Sequence, residues 1–298
     1  MVYFWYAFLF FIGAAIGSFL NVLAVRYDPG KKILTRDIFL GRSHCVHCGK
    51  VLRWYELFPI FSYLIQRGKC LSCGASLSFQ YFVAELIAGA ILVFFTWHFY
   101  KFFNLADIIS QGGNIGPYYI FLCVWILVAY GLLLMSLIDF RLKIIPDQIN
   151  VFLLVLGAAL VALKYFYSFT NTSFLGKYSL LFNISAQPLL SHFLAAIFGL
   201  FLFGLIVVLS RGRGMGIGDV KLAGALGLLL GLPDIVFSFF SSFIIGAIVG
   251  VFLLLLGKKS LKDAVPFGPF LALGVFLTIF WGENLLDYYF SLFQFLTY

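Results

Sequence analysis

Long apolar runs are the feature that most limits what this chain can fold into. Runs of about 20 apolar residues are long enough to cross the hydrocarbon core of a bilayer as helices. Only 11% of the residues are charged, against about 25% in soluble domains. We therefore predict an all-α polytopic membrane protein with about eight transmembrane helices. The predicted spans are 2–25, 82–100, 118–138, 149–168, 189–210, 220–233, 235–256 and 266–284.

The sixth predicted span is the weakest of these assignments. It is short, and the residues that follow it, "GLPD" at 231–234, are typical of a tight turn before the seventh span. The helix count therefore depends most on this boundary, and seven or nine helices are the alternatives.

The basic residues predict the orientation of the chain. No Lys or Arg precedes the first span, so we expect a transmembrane helix there and not a cleavable signal peptide. With the N-terminus outside, all but Lys101, Lys164 and Lys177 of the 20 Lys and Arg residues fall in inner loops. The segment 26–81 is then cytoplasmic. The net charge of +8 reports this orientation, and we expect no nucleic-acid partner.

Two C-x-x-C pairs lie in that cytoplasmic segment, and each is followed directly by glycine (Gly49 and Gly74). This spacing is typical of zinc knuckles, in which a tight turn lets two thiolates point at one ion. We predict a small zinc-knuckle subdomain between the first two helices. Its ligands are Cys45, Cys48, Cys70 and Cys73.

The cysteine pairs have two other interpretations. Two disulfides are disfavoured in a reducing cytoplasm, and a redox C-x-x-C motif does not explain two tandem copies. His44 and His47 lie beside the first pair, but four thiolates already complete a zinc site. Such a site leaves no open coordination position, so the zinc is predicted to be structural.

Several acids approach the predicted membrane spans. Asp147 and Asp219 each directly precede a predicted span, where an acid can simply be a helix N-cap. Asp139 instead ends the third span, where the helix dipole disfavours an acid. Pairing with Arg141 or Lys143 would be a structural explanation for it.

The predicted topology places Asp139 and Asp219 on the same face of the membrane. Two carboxylates close together cannot both ionise easily, so they share a proton and can hold and activate a water molecule. This is aspartyl-protease chemistry. Gly216 and Gly218 allow the backbone to approach closely in front of Asp219. The same glycines lack the register and context of a nucleotide-binding loop.

With these residues in place, the sequence resembles the bacterial prepilin peptidases, which are type IV leader peptidases and N-methyltransferases. The resemblance extends over nearly the whole chain and rests on several motifs in the same order. They are "GSFLNVLAVR" (17–26), the two C-x-x-C pairs with "WYELFPIFSYLIQRGKC" running into the second, "VAELIAG" (83–89), "IDFRLKIIPD" (138–147), "GMGIGDVKL" (214–222) and "PFGPFLALG" (266–274).

The resemblance implies a function and a set of site residues. Asp139 and Asp219 match the catalytic pair of this G-x-G-D aspartyl protease family, and Gly216 and Gly218 match its glycines. The four cysteines match the zinc tetrad of a methyltransferase-linked region. Substrates would be prepilins and pseudopilins, which the family cleaves at the cytoplasmic face of the inner membrane. The new N-terminus is then methylated with S-adenosylmethionine.

Further residues are expected to assist. Asp147 and Lys221 flank the two aspartates in sequence and are predicted to support the active site or the substrate. Glu85 is a cofactor-binding candidate only because of its position beside the cysteine block. The implied domains are a first helix (1–25), a cytoplasmic cysteine-rich domain (26–81) and a transmembrane peptidase domain (82–298).

Three other functions compete with this one. A presenilin-like intramembrane protease shares the G-x-G-D motif, but the P-A-L motif of that group is absent here. An ion-coupled transporter could use Asp139 and Asp219 for protons or cations, although acids at a membrane boundary and the lack of an inverted repeat disfavour it. A zinc-knuckle membrane scaffold would leave the acids unexplained.

Overall fold

In the computed structural model, the regular elements of the described residues are helices, and the other regular pairing is two isolated β-bridges, His44 with Val51 and Lys69 with Ser76. The structure describes residues 2–30, 33, 41–45, 47–167, 173–182, 187–257 and 265–295. Its α-helices are α1 (Val2–Arg26), α2 (Phe61–Ile65), α3 (Phe79–Phe102), α4 (Leu105–Ser110), α5 (Gly116–Leu142), α6 (Asp147–Phe166), α7 (Pro188–Leu209), α8 (Ile217–Leu230), α9 (Asp234–Leu255) and α10 (Gly268–Phe295). Two 3₁₀ segments lie at Trp54–Glu56 and Gly176–Phe182. The all-α polytopic prediction is confirmed.

Seven of the described helices are long and apolar enough to cross a membrane, namely α1, α3, α5, α6, α7, α9 and α10. The helix predicted as the sixth span is present as α8, but it begins earlier than 220 and has 14 residues. It ends at a turn in which Gly231 has a φ of +77°, a conformation that favours glycine. The predicted turn at 231–234 therefore lies where the sequence placed it.

The chain forms two compact units, Met1–Ile138 and Asp139–Tyr298. In the first unit, α1 and α3 run antiparallel and touch through small residues. A Cβ atom added to Gly13 would lie 2.6 Å from the carbonyl oxygen of Ala88, so only glycine permits this approach. Close contact through small residues is how membrane helices associate without a hydrophobic driving force. The division at residues 25 and 81 follows expected function and stays a prediction.

In the second unit, α8 lies against α7 and α6. A Cβ atom on Gly199 would lie 2.5 Å from the carbonyl oxygen of Ala223, and one on Gly224 would lie 2.7 Å from Leu200. Most of α8 from Leu222 to Leu230 is buried. The helix that carries Asp219 is therefore held by its neighbours along most of its length.

Candidate functional site

Asp139 lies in the last turn of α5 and is only 4% exposed. Its Oδ2 atom accepts a hydrogen bond of 3.0 Å from the backbone N–H of Gly268, the first residue of α10. The free N–H groups at a helix N-terminus stabilise a negative charge. The carboxylate is thus held by the start of a helix 129 residues away in sequence, a partner different from the nearby Arg141 and Lys143 considered above.

Asp219 lies in the first turn of α8. The helix N-cap is Gly216, with extended backbone angles, and Asp219 is the third helical residue. Its Oδ2 atom accepts from the backbone N–H of Gly216 at 3.1 Å. The expectation that Asp219 could be an N-cap is thus modified: it occupies the position whose side chain reaches back to the cap. The side chain is half-buried.

The structure brings the two aspartates together. Asp139 lies within electrostatic reach of Asp219. The chain after α5 returns over the start of α8, where a Cβ atom on Gly218 would lie 3.2 Å from the Cβ atom of Ile145. Two neighbouring carboxylates at one end of the helices are the arrangement that the sequence led us to expect.

Asp147 and Lys221 form an ion pair at this end of the unit. Lys221 Nζ lies 2.7 Å from Asp147 Oδ1, and both side chains are substantially exposed. Asp147 is the first residue of α6, after the N-cap Pro146, so it is not the cap itself. The pair joins the start of α6 to the start of α8, directly beside Asp219.

Glu85 belongs to the first unit and is only 5% exposed. Its Oε2 atom accepts a hydrogen bond of 2.7 Å from the backbone N–H of Ile60, and the side chain also hydrogen-bonds with Ser18. Glu85 thus connects α1, α3 and the segment that separates the two C-x-x-C pairs.

The four cysteines form one cluster, and their sulfur atoms all lie within 4.8 Å of one another. They are free thiols, and the Sγ atoms of Cys45 and Cys73 are 3.8 Å apart. A tetrahedron with Zn–S bonds of about 2.3 Å has edges of roughly 3.8 Å. The predicted grouping of four ligands is confirmed, and its dimensions fit a zinc ion.

Each C-x-x-C pair lies in a turn with the same geometry. The backbone N–H of Gly49 donates to the carbonyl oxygen of Cys45, and that of Gly74 donates to the carbonyl oxygen of Cys70, each at 2.9 Å. The two glycines have φ values of +70° and +69°, which explains why each knuckle ends in glycine. Backbone N–H groups, above all that of Cys48, lower the pKa of Cys45 to about 6. At Cys73 the backbone N–H of Ala75 lowers the pKa, but burial and the neighbouring thiols outweigh it and raise the pKa of Cys73 to about 11.

Two features of the second unit were missed from sequence. The first is Gly268: "PFGPFLALG" was noted as a motif, and a Gly-Pro pair at a helix start was the signal that could have drawn attention to it. The second is a buried polar cluster of Lys164, His192 and Asp234. Its signal was the presence of ionisable residues within or beside apolar spans.

Comparison with known proteins identifies the family. The family described as "Bacterial Peptidase A24 N-terminal domain" matches residues 11–99, and the one described as "Type IV leader peptidase family" matches residues 126–251. A Bacillus subtilis protein named prepilin leader peptidase/N-methyltransferase is 30% identical over 286 residues, which cover 94% of this chain and 96% of that protein. The chain belongs to the type IV leader peptidase family.

Other relatives carry the same name. The protein from Pseudomonas aeruginosa is 29% identical over 296 residues, covering 92% of this chain and 89% of its own length. The protein from Legionella pneumophila is 26% identical, with 92% and 91% covered. No solved structure matches the chain significantly. The resemblance noted from the motifs is confirmed, and this family member is a multi-pass bacterial membrane protein.

Proposed function

We propose that this chain removes the short basic leader of type IV prepilins and pseudopilins and then methylates the new N-terminus. The observation that carries the proposal is the pairing of Asp139 with Asp219 at one end of the second unit. The names of the relatives supply the substrate class. The site would face the cytoplasm in the inner membrane, with the N-terminus of the chain outside, as the distribution of Lys and Arg favours.

The cleavage step follows from the two carboxylates. Each uses Oδ2 to accept a backbone N–H, and a water molecule would lie between the remaining oxygens. The ionised carboxylate takes a proton from the water as its oxygen attacks the scissile carbonyl carbon. The protonated one donates to the carbonyl oxygen. Collapse of the tetrahedral intermediate breaks the C–N bond: the carboxyl that took the proton from water gives it to the leaving amine, and the other carboxylate takes back the proton it gave to the carbonyl oxygen.

The glycines and the exposed ion pair would support this chemistry. Gly216 and Gly218 leave the backbone before Asp219 narrow enough for an extended substrate to approach. Asp147 and Lys221 hold the starts of α6 and α8 together beside the pair. We assign these four residues to support of the active site and of the substrate, and the basic leader would contact the acids at this end.

The first unit would supply the methyltransferase activity. The cysteine cluster would hold a structural zinc ion through Cys45, Cys48, Cys70 and Cys73, and the ion would fix the two knuckles to each other. S-adenosylmethionine would provide the methyl group. Glu85 is the candidate for contact with this cationic donor, supported by its burial beside the cysteine segment. In domain terms, 26–81 serves methylation and 82–298 serves cleavage.

Ion-coupled transport remains the second candidate because buried acids within spans are typical of it. Presenilin-like cleavage within a membrane span is the third, and a zinc scaffold without activity is the fourth. These alternatives predict different outcomes in one assay.

The assay uses full-length protein in nanodiscs with a purified prepilin-like substrate. Mass spectrometry reads leader release and the gain of one methyl group together. We expect Asp139→Asn and Asp219→Asn to abolish cleavage, whereas Asp107→Asn, which changes an exposed acid on α4, retains it. Folded wild-type protein that cleaves none of several basic-leader substrates would overturn the proposal and favour the transporter or the scaffold.

The metal is tested separately. We expect one zinc per chain by elemental analysis, and loss of the zinc in Cys70→Ser. Cys123→Ser is the matched control, because Cys123 is a free cysteine outside the cluster. Zinc retained in Cys70→Ser, or lost equally in both variants, would contradict the assignment of the four ligands.

A further inference from the structure

The segment between the two C-x-x-C pairs does not lie where a hydrophilic cytoplasmic loop would lie. Residues 57–65, "LFPIFSYLI", which we call the apolar insert, lie along α1 and α3. The ring of Phe61 stacks on that of Phe11 at 5.7 Å between centroids. The backbone N–H of Ile60 reaches the carboxylate of Glu85. Both partners belong to helices long enough to span the membrane.

The depth of these contacts follows from helix geometry. At 1.5 Å per residue, Phe11 lies about 22 Å along α1 from Arg26, and Glu85 lies about 9 Å along α3 from Phe79. Arg26 and Phe79 mark the ends of the helices from which the cysteine segment emerges. A segment that contacts Phe11 and Glu85 has therefore returned to the depth of the hydrocarbon core, which is about 30 Å thick.

The backbone of the insert is suited to that depth. Non-helical backbone survives in a membrane only where its polar groups are satisfied. Pro59 has no N–H, and the N–H groups of Phe61, Ser62 and Leu64 donate to carbonyls within the insert. Glu85 accepts the N–H of Ile60. Ile60 has a φ of +65°, a costly conformation for a β-branched residue, which this buried hydrogen bond holds in place.

Several large apolar side chains of the insert are exposed. Phe58 is 50% exposed, Leu64 is 56% exposed and Ile65 is 78% exposed. This surface is continuous with the exposed face of α1 through the Phe11–Phe61 stack.

The residues that flank the insert are those of a membrane interface. Trp54 and Tyr55 precede it and are exposed, and such aromatic residues are enriched at headgroup level. The exposed basic residues Arg53, Arg67 and Lys69 lie on its two sides, where anionic headgroups attract them. Apolar residues in the middle, with aromatic and basic residues before them and basic residues after them, match the profile of a bilayer from core to surface.

We propose that the apolar insert is embedded in the bilayer and that its exposed side chains contact lipid acyl chains. The cysteine cluster is then anchored to the membrane through its own central segment, in addition to the two helices that flank it. This inference holds for the first unit alone and does not depend on the proposed function.

The test measures the surroundings of the insert directly. A ketone-bearing phenylalanine analogue, placed at Leu64 or Phe58, accepts a nitroxide label without touching the native cysteines. The full chain is reconstituted in nanodiscs, and collision rates with oxygen, which enriches in lipid, and with a water-soluble nickel chelate are measured by spin resonance. Val155, an exposed position on the membrane-spanning helix α6, is the lipid reference. Leu71, an exposed residue inside the second knuckle, is the water reference.

We expect the ratio of oxygen to nickel collisions at Leu64 and Phe58 to equal that at Val155 and to exceed that at Leu71. A ratio as low as that at Leu71 would place the insert in water and overturn the proposal. Low collision rates with both reagents would show a protein partner or a second copy on this surface, which also overturns it. Zinc content of each labelled protein shows that the knuckles remain folded.

Discussion

The second unit contains two buried carboxylates near opposite ends of its helices, and they are satisfied in opposite ways. Asp234 is 1% exposed. It accepts hydrogen bonds from the hydroxyl of Ser173 and from the backbone N–H of Phe174, and it attracts Lys164. Asp139 is similarly buried, but its neighbours are one backbone N–H and a second acid, Asp219. In the described part of the chain, a cation thus compensates Asp234, whereas the charged neighbour of Asp139 is another acid.

Asp234 and Lys164 belong to a network of buried polar groups. Lys164 Nζ lies 3.1 Å from Nε2 of His192, and Nδ1 of His192 lies 2.7 Å from the carbonyl oxygen of Leu228. Because a Lys ammonium can only donate, Nε2 accepts and Nδ1 carries the proton that binds Leu228. Ser191 exchanges hydrogen bonds with the backbone of Leu232. These contacts satisfy the backbone just where α8 ends.

The difference in charge compensation indicates a structural role for Asp234 and a chemical role for Asp139. A buried charge with partners is costly to disturb, because removing one partner leaves the other charge uncompensated. Two like charges held together without a cation are unfavourable for the fold, and such arrangements concentrate at functional sites. We therefore expect mutations at Asp139 to change the rate of cleavage and mutations at Asp234 or Lys164 to change the stability of the fold.

The largest effect is expected for cleavage in Asp139→Asn. The rate should fall by at least about 10³-fold, because one partner of the acid–base pair is lost. The thermal unfolding midpoint should stay the same or rise, because a like-charge contact is removed. Cleavage assays and thermal unfolding in the same detergent check both. A large drop in midpoint would mean that Asp139 is structural, like Asp234.

The second effect is expected for stability in Lys164→Met. Asp234 would lose its buried cation, which typically costs about 3–5 kcal/mol, and the unfolding midpoint should fall. Combining Lys164→Met with Asp234→Asn removes both charges and should recover much of the loss. A single variant as stable as wild type, or a double variant no better than the single one, would show that the two charges are not coupled.

The third effect concerns the glycines before Asp219. Gly218→Ala places a methyl group 3.2 Å from Ile145, so α8 or the preceding loop must shift, at a cost of about 1–3 kcal/mol. We expect the rate of cleavage to fall roughly tenfold if about 1.4 kcal/mol of this steric cost is added to the activation free energy. Gly216→Ala is the matched variant, because its nearest neighbour is 3.6 Å away, and it should lose less. Equal losses would contradict the steric explanation.

The smallest effect is expected for the exposed pair. Asp147→Asn or Lys221→Met removes an ion pair in which both partners are solvent-accessible, and such pairs contribute less than about 1 kcal/mol. KM for the substrate should change less than fivefold, and kcat should change by a smaller factor than KM. Measuring both constants distinguishes this supporting role from direct catalysis, which would lower kcat steeply.

Most of the fold could be predicted because long apolar runs have few other solutions. The seven long helices and the turn at 231–234 follow from hydropathy and turn residues. The start of α8 could not be predicted in this way, because "GIGD" is typical of a loop. The helix begins at Ile217, before the apolar run, because Gly216 is its N-cap and the side chain of Asp219 accepts a hydrogen bond from the backbone N–H of Gly216.

The partners of the site residues could not be predicted in the same way. Asp139 and Asp219 could be proposed from their motifs, but the contact of Asp139 with Gly268 joins positions far apart in sequence with no local signal. The apolar insert was also missed. It has too few residues to span a membrane and lies between basic residues, so hydropathy assigns it to the cytoplasm. Its packing on Phe11 and Glu85 is visible only in three dimensions.

The length of α8 has a consequence for any substrate. With 14 residues it rises about 21 Å, which is roughly 9 Å less than the thickness of the hydrocarbon core. The polar network around Lys164 fills the space beyond one end of α8, and the aspartates occupy the other end. The start of α8 lies level with the start of α6, because Lys221 pairs with Asp147 there and Gly218 lies against Ile145, so the difference in length falls at the opposite end. A substrate of the proposed activity would then meet Asp219 where these helices begin, beside the exposed Asp147–Lys221 pair, and not part-way along α8.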